Sequence, residues 1–202
     1  MIAAVVLAAG AARRMGRPKQ LLPLAGRPLV WHVAATACRS VVDEVIVVTG
    51  AKRAAVAAAV AGLPARLAHN PRWQSGQASS LQAGLNAVSP GTGAIIFLLA
   101  DQPLVTPALL DSLAAAYHAG GGSIVAPVAG GRRGNPVLFD IGRWRQQLLA
   151  LTGDAGARAI IAAHPDQVTA VPVADGTVFF DVDTPAEYDE IQRLYATIHP
   201  GG

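Results

Sequence analysis

Apolar and polar positions along the chain fall into two kinds of block. Short continuous apolar runs, at Ile2–Leu7, Glu44–Thr49 and Ala94–Leu99, give way to Gly10, Gly50 and Asp101 respectively. Runs of this length without polar alternation predict strands covered on both faces, as in a parallel sheet. Ala-rich stretches at Pro28–Arg39, Lys52–Ala61 and Gln77–Val88 separate or follow them and predict helices, the first opened by a proline where a helix start tolerates one. Thr106 is placed to cap a helix that begins at Pro107 and ends near Ala119, where three glycines follow. Ser123–Val128, Val137–Phe139 and Val168–Val173 continue the strand series. Ile141–Leu151 and Ala155–Ala163 predict helices, and Asp183-Thr184-Pro185 opens a last one to Thr197. Such alternation implies right-handed crossovers and an α/β fold, a mainly parallel sheet between two helical layers. No linker or fixed-period repeat divides the chain, so residues 1–202 are expected to form a single domain.

Composition narrows the function. Apolar residues are 52% and charged residues 14% of the chain, which excludes a disordered or tail-like protein. The net charge of +3 comes from scattered arginines, without the clustered basic patch that nucleic acid requires. Cys38 is the sole cysteine, so neither an intrachain disulfide nor a cysteine-based zinc cage can form, and the five histidines are too dispersed to pair as ligands. The apolar opening segment has no basic residue ahead of it and falls short of the roughly 20 residues that span a bilayer. A cytoplasmic protein without membrane contact is expected.

Ligands of open α/β sheets bind where loops leave the carboxyl ends of strands. The first such loop, Leu7 to Lys19, contains Ala8, Ala9 and Gly10, whose small side chains let backbone N–H groups approach an anion. Arg14 and Lys19 add charge, and Lys19 is one of only two lysines. The loop is neither a Walker A sequence nor GxGxxG. Asp101, after an apolar strand, is either a Mg²⁺ ligand working with substrate phosphates or a turn residue ahead of Pro103. Alternation sends Asp181 and Asp183 to one face, where Asp183 is a ligand, a helix cap or both. Ser80 sits where it can meet a nucleotide base, and Ser75 is available as an N-cap. Two glycine- and arginine-bearing loops, Gly130–Pro136 and Thr152–Arg158, suit an anionic second substrate or ordinary turns.

Taken in order, LAAGxxxRMGxxK at 7–19 with the Leu21-Leu22-Pro23-Leu24 that follows, ASSL at 78–81, DQP at 101–103, NPV at 135–137, GDAGAR at 153–158 and DVDTP at 181–185 span nearly the whole chain. Together they resemble the MobA-like nucleotidyltransferases of molybdenum cofactor biosynthesis, most closely the cytidylyltransferase branch. The resemblance implies a Rossmann-like three-layer α/β/α fold with a mixed, mainly parallel sheet, the N-terminal half serving the nucleotide and the C-terminal half the acceptor. It implies that Leu7, Ala8, Ala9 and Gly10 line the nucleotide, Arg14 and Lys19 hold phosphates, and Ser80 lies near the base. Asp101 and Asp183 would hold Mg²⁺. Gly134, Asn135, Asp154 and Arg158 would belong to the two later loops, with the GDAGAR loop facing a pterin and Arg158 as its anion contact. Two positions depart from the family: Ala12 stands where a serine is common, and Gln77 where a methionine is common.

The implied reaction is attack by the terminal phosphate of molybdopterin on the α-phosphorus of CTP, releasing pyrophosphate, with handover of the product to a molybdenum hydroxylase. A nucleophile already anionic at neutral pH needs no strong base, which agrees with the absence of a His or Cys nucleophile arrangement. Transfer from GTP, a sugar or polyol phosphate acceptor, and a non-catalytic cofactor-delivery module remain the alternatives. A dinucleotide-dependent oxidoreductase is disfavoured by the missing GxGxxG.

Overall fold

A strand can be central only if both of its edges find partners and both of its faces are covered. The strand β1 (Ile2–Ala8) meets both conditions in the computed structural model, which describes residues 1–11 and 18–199. It pairs in parallel with β4 (Glu44–Thr49) on one side and β6 (Ala94–Leu99) on the other. Between β1 and β4 lie a two-stranded hairpin, β2 (Pro23–Leu24) and β3 (Arg27–Pro28), and helix α1 (Leu29–Cys38). Helix α2 (Arg53–Ala59) leads to β5 (Arg66–His69), parallel to β4 at the sheet edge, and α3 (Gln77–Ala87) leads to β6. The chain continues through α4 (Pro107–His118), β7 (Ile124–Ala129), β8 (Arg132–Arg133), β9 (Val137–Asp140), α5 (Ile141–Ala150), α6 (Arg158–Ala163), β10 (Val168–Pro172) and α7 (Pro185–Ile198). The strand order is β5-β4-β1-β6-β9-β7-β10. Only β9 on this path runs against its neighbours, pairing antiparallel with both β6 and β7, while β10 is parallel to β7.

Successive side chains of β1 alternate between two cores, as the strand period demands. Ala4 and Val6 pack in the cluster containing Val33 of α1, Val56 of α2 and Leu110 of α4, whereas Val5 joins Leu81 and Leu85 of α3 and Trp144 and Leu148 of α5. The three layers follow directly. Gly84 of α3 faces Val5 so closely that a methyl group there would overlap Val5 Cγ1. A third cluster, of Leu22, Leu24, Leu29, Leu104, Val182 and Ile191, docks α7 on the hairpin, and the Tyr188 hydroxyl donates to the Pro23 carbonyl. This satellite core carries Asp183 to the mouth of the first loop.

The main strands and helices expected from the pattern are present, with four corrections. The helix placed at Ala155–Ala163 starts only at Arg158. Thr184, not Asp183, caps α7: its side chain accepts from the Glu187 N–H, and Glu187 returns the bond in a capping box. Ser75 does not cap α3, since the cap position is Gly76 at φ 103°. The hairpin, β5 and β8 were not apparent, because two- to four-residue strands are too short to show a period.

At the opposite end of the sheet, Glu44 gathers the Ser89 N–H (2.8 Å), the Ser89 and Thr92 hydroxyls and Arg66 (2.6 Å). Burial alone would raise its pKa, but these donors outweigh it and hold the carboxyl below the usual range. Its contribution to stability is therefore present above the ordinary carboxylate pKa and is lost as pH falls through the depressed folded value. The stability gap between wild type and Glu44→Gln is expected to narrow on acidification, as read from urea midpoints at stepped pH. Gly84→Ala is expected to cost about 1 kcal/mol net, because overpacking against Val5 (about 1–3 kcal/mol) exceeds the helix gain of roughly 1 kcal/mol. A midpoint unchanged or raised would contradict this packing.

Candidate functional site

The C-terminal ends of β1, β4 and β6 open onto one cleft of about 530 Å³. Its floor is the turn after β1. Gln20, 4% exposed, donates through Nε2 to the Gly10 carbonyl (2.8 Å) and the Ala8 carbonyl (3.3 Å), and the Ala51 N–H binds the Ala9 carbonyl (3.1 Å). Each planar trans peptide then turns the N–H of the next residue away from those partners, so three carbonyl bonds set the direction of three consecutive amides. Gly50 makes the approach feasible: a Cβ there would lie 2.6 Å from the Ala9 carbonyl oxygen.

Across the cleft stand Trp73, Gln74 and the start of α3. Asn70, 2% exposed, holds this wall together, donating from Nδ2 to the Ser79 (2.8 Å) and Ser80 (3.1 Å) hydroxyls and accepting from the Arg72 N–H (2.9 Å). Ser80 lines the cleft, as do Leu7, Ala8, Ala9, Gly10, Lys19, Asp101 and Asp154. Arg14 lies outside the described residues, as does Ala12.

The charged group is Lys19 with its two carboxylates. The Lys19 ammonium pairs with Asp101 Oδ2 and with Asp183 Oδ1 (2.6 Å). Burial would lower the lysine pKa, but the two negative charges and their hydrogen bonds outweigh it and raise it, so this ammonium stays charged. A third carboxylate, Asp181, accepts from Gln102 Nε2 at 2.7 Å. Loss of hydration, followed by the negative charge of Asp101 and then of Asp183, pushes Asp181 up to about 6 against the lowering effect of Gln102 and Lys19. The Val182 N–H bonds the Asp101 carbonyl (3.2 Å), tying the two acidic segments together through the backbone.

Two carboxylate oxygens that converge on one cationic atom form the hard-oxygen donor set that Mg²⁺ or Mn²⁺ takes. Among the described residues no group of three or more His, Cys, Asp or Glu side chains is arranged to hold a metal. Asp101 and Asp183 thus fit a divalent ion that completes its shell with phosphate and water oxygens, and they do not form an all-protein cage.

A second cavity, also about 530 Å³, shares Leu7, Gln77 and Leu99 with the first. Its lining is mostly apolar, with Leu81, Phe97 and Phe139, and it carries Arg133, Asn135 and Arg158. Gly134 also lines it and lies so close under the Phe179 ring that any Cβ would overlap that ring. The two arginine-bearing loops expected at an anionic second substrate therefore meet in one place. The 153–158 loop is split between the cavities: Asp154 faces the first, whereas Gly156, Ala157 and Arg158 face the second. The Ala78 N–H donates to the Gly153 carbonyl (3.0 Å), and Gly76 approaches Gly153 too closely for any side chain, so this loop is locked to the start of α3. Trp73, Asn70 and Gln102 carry no local signal of these roles in the sequence, although Gln102 lies inside the DQP segment beside Asp101, whereas Gln20 directly follows Lys19 and anchors it beside an apolar segment.

Comparison with known proteins agrees with this geometry. Residues 4–168 match the MobA-like NTP transferase domain family. Nicotine blue oxidoreductase of Paenarthrobacter nicotinovorans is 35% identical over 189 residues, covering 91% of this chain and 92% of that protein. Purine catabolism protein PucB of Bacillus subtilis is 33% identical, with 94% and 95% covered. Rv0371c of Mycobacterium tuberculosis H37Rv superimposes with a TM-score of 0.85 at 30% identity over 95% of this chain and 97% of its own, and it is also known in complex with manganese. The nucleotidyl transferase Mth528 of Methanothermobacter thermautotroptrophicus gives a TM-score of 0.86 at 27% identity, with 98% and 99% covered. No helix among the described residues is long and apolar enough to cross a membrane. With the sheet order, the loop after β1 and the sequence match in agreement, the chain belongs to the MobA-like NTP transferase domain family and is a nucleotidyltransferase of Rossmann-like α/β fold.

Proposed function

We propose that the protein transfers CMP from CTP to the terminal phosphate of a molybdopterin-type acceptor and releases pyrophosphate. The observation that carries this reading is the pair of cavities that meet at Leu7, Gln77 and Leu99, one lined by Lys19 and Asp101, with Asp183 paired to that lysine, and the other apolar with two arginines. A triphosphate in the first cavity lies along Leu7 to Gly10 and meets the amides of Ala9, Gly10 and Ala11, its base toward Ser80 and its phosphates toward Lys19 and Arg14. A flat heteroaromatic acceptor in the second packs against Phe97, with its phosphate drawn by Arg158 and Arg133 and bonded by Asn135 and the Gly134 backbone. The N-terminal half of one domain thus serves the nucleotide and the C-terminal half the acceptor. Asp154 stands on the nucleotide side of the loop that bridges them.

Because the acceptor phosphate is already anionic, the residues act by alignment and by charge, the terms that dominate phosphoryl transfer. Lys19 neutralises the departing pyrophosphate, and Asp101 and Asp183 would hold Mg²⁺ between them. When bound, Mg²⁺ supplies charge withdrawal from the phosphate oxygens. Gln77, on the shared wall, offers an amide donor and acceptor where base and acceptor approach each other. Cys38 as the sole cysteine accords with a cytoplasmic setting, and product handover to a molybdenum hydroxylase completes the reading.

The test is a panel of CTP, GTP, ATP and UTP with Mg²⁺, with and without molybdopterin, following pyrophosphate. Fastest release with CTP, dependent on molybdopterin, is expected. Release with GTP, or with a sugar or polyol phosphate in place of the pterin, would reassign the substrates; cofactor binding without pyrophosphate would identify a delivery module. Asp101→Ala is expected to lower turnover roughly 10²–10³-fold, the scale of one lost electrostatic contact to developing charge, with its urea midpoint near that of wild type. Lys19→Ala is expected to raise the KM for the triphosphate, and a KM equal to that of wild type would remove Lys19 from the phosphate site.

A second reading comes from the 35% identical relative, which is named an oxidoreductase. Against it, the sequence after β1 lacks GxGxxG, and among the described residues the first α-helix after β1 is α1, beginning only at Leu29 beyond the hairpin of β2 and β3. Binding of NAD(P)H by the purified protein would favour this second reading over transfer.

A further inference from the structure

Gln102 is 2% exposed and its amide is oddly matched. Nε2 donates to Asp181 Oδ1 (2.7 Å) and, more weakly, to the Phe179 carbonyl (3.4 Å), while Oε1 has no hydrogen-bond partner among the described residues. A buried acceptor left unmatched is destabilising, and a methionine would fill much the same volume without that cost. Stability therefore does not account for a glutamine here. What the amide accomplishes is the hold on Asp181.

That hold completes a lacing between two segments. Residue by residue, the Gln102 side chain meets the Asp181 side chain, the Val182 N–H meets the Asp101 carbonyl at 3.2 Å, and the Asp101 and Asp183 carboxylates meet on Lys19. With the first tie cut, the Asp101 loop keeps only one backbone bond and a shared cation to residues 181–183, whose Val182 stays seated in the satellite core. We propose that Gln102 is a positioning residue which, through Asp181, sets the separation of the Asp101 and Asp183 carboxylates and so their joint hold on a divalent cation. The same amide reaches the carbonyl of Phe179, whose ring lies against Gly134 of the second cavity's lining. The proposal rests on the metal role given above to Asp101 and Asp183.

The experiment measures Mn²⁺ binding to the nucleotide-free protein by the electron paramagnetic resonance of free Mn²⁺, together with urea midpoints, for wild type, Gln102→Met, Asp181→Ala and the double variant. Gln102→Met is expected to weaken Mn²⁺ binding about tenfold, the lower end of the effect of outer-shell partners, with a midpoint equal to or above that of wild type. In the Asp181→Ala background the methionine is expected to add no further loss. Should methionine lower the midpoint, Gln102→Leu, equally without the donor and without a charge, is expected to give the same weakening. Unchanged Mn²⁺ binding in these variants would overturn the positioning role while leaving the metal role standing. Losses that add in the double variant would overturn the route through Asp181. Absence of Mn²⁺ binding by the wild type would overturn the metal role and this proposal together.

Discussion

The molecule is organised by the demand that β1 be satisfied on four sides: its edges by β4 and β6, and its faces by two helical layers. Nothing polar can project from such a strand, since a buried side chain without partners would be costly. Chemistry is therefore displaced to the points where the central strands end. The turn after β1, Gly50 after β4 and Asp101 after β6 come together there because parallel strands in register release their loops on the same side. Gly84 lets α3 settle close enough to β1 to bring Ser80 to that same edge.

The second organising element is charge. Three carboxylates face one ammonium, and the imbalance shows in their protonation: Lys19 is held charged, while Asp181 is pushed up to about 6, first by lost hydration and then by its acidic neighbours. The cluster would repel itself open without an external brace. That brace is apolar, the small core that seats Val182 and Ile191 against the hairpin and places the start of α7 opposite the Asp101 loop. Hydrophobic packing of a C-terminal helix thus maintains an electrostatic arrangement to which the N-terminal loop contributes the only cation described.

The two cavities are unlike in chemistry but share a wall. Leu7, Gln77 and Leu99 belong to both, so the two cavities are neighbours across these three residues. The antiparallel β9 is what makes room for the second cavity. By reversing direction between β6 and β7 it delivers the loop of Gly134 and Asn135 to the same edge at which β6 releases Asp101. An all-parallel arrangement would put the start of β9 at the other end of the sheet.

Much of this was legible in the amino-acid pattern. Continuous apolar runs marked β1, β4 and β6 as covered on both faces, Thr106-Pro107 marked the start of α4, and the short motifs marked the segments that carry Lys19, Ser80, Asp101, Asn135, Arg158 and Asp183. Local chemistry dictated these features, since a strand period or a helix cap is contained within a few residues. Other features were not local. Thr184 took the cap and left Asp183 for Lys19, although either residue suits a cap, because docking of α7 on the hairpin brings the aspartate to that ammonium. Asp154 and Arg158, four residues apart in one loop, were divided between two cavities by the contact of Gly76 with Gly153. Gln102 and Asn70 acquired their roles only from partners brought near by folding. The local pattern sufficed for the long strands, most of the helices and the segments that carry charge. Only the tertiary structure decided which charges meet, because the energy of an ion pair or a buried hydrogen bond depends on distances between residues that the chain holds far apart.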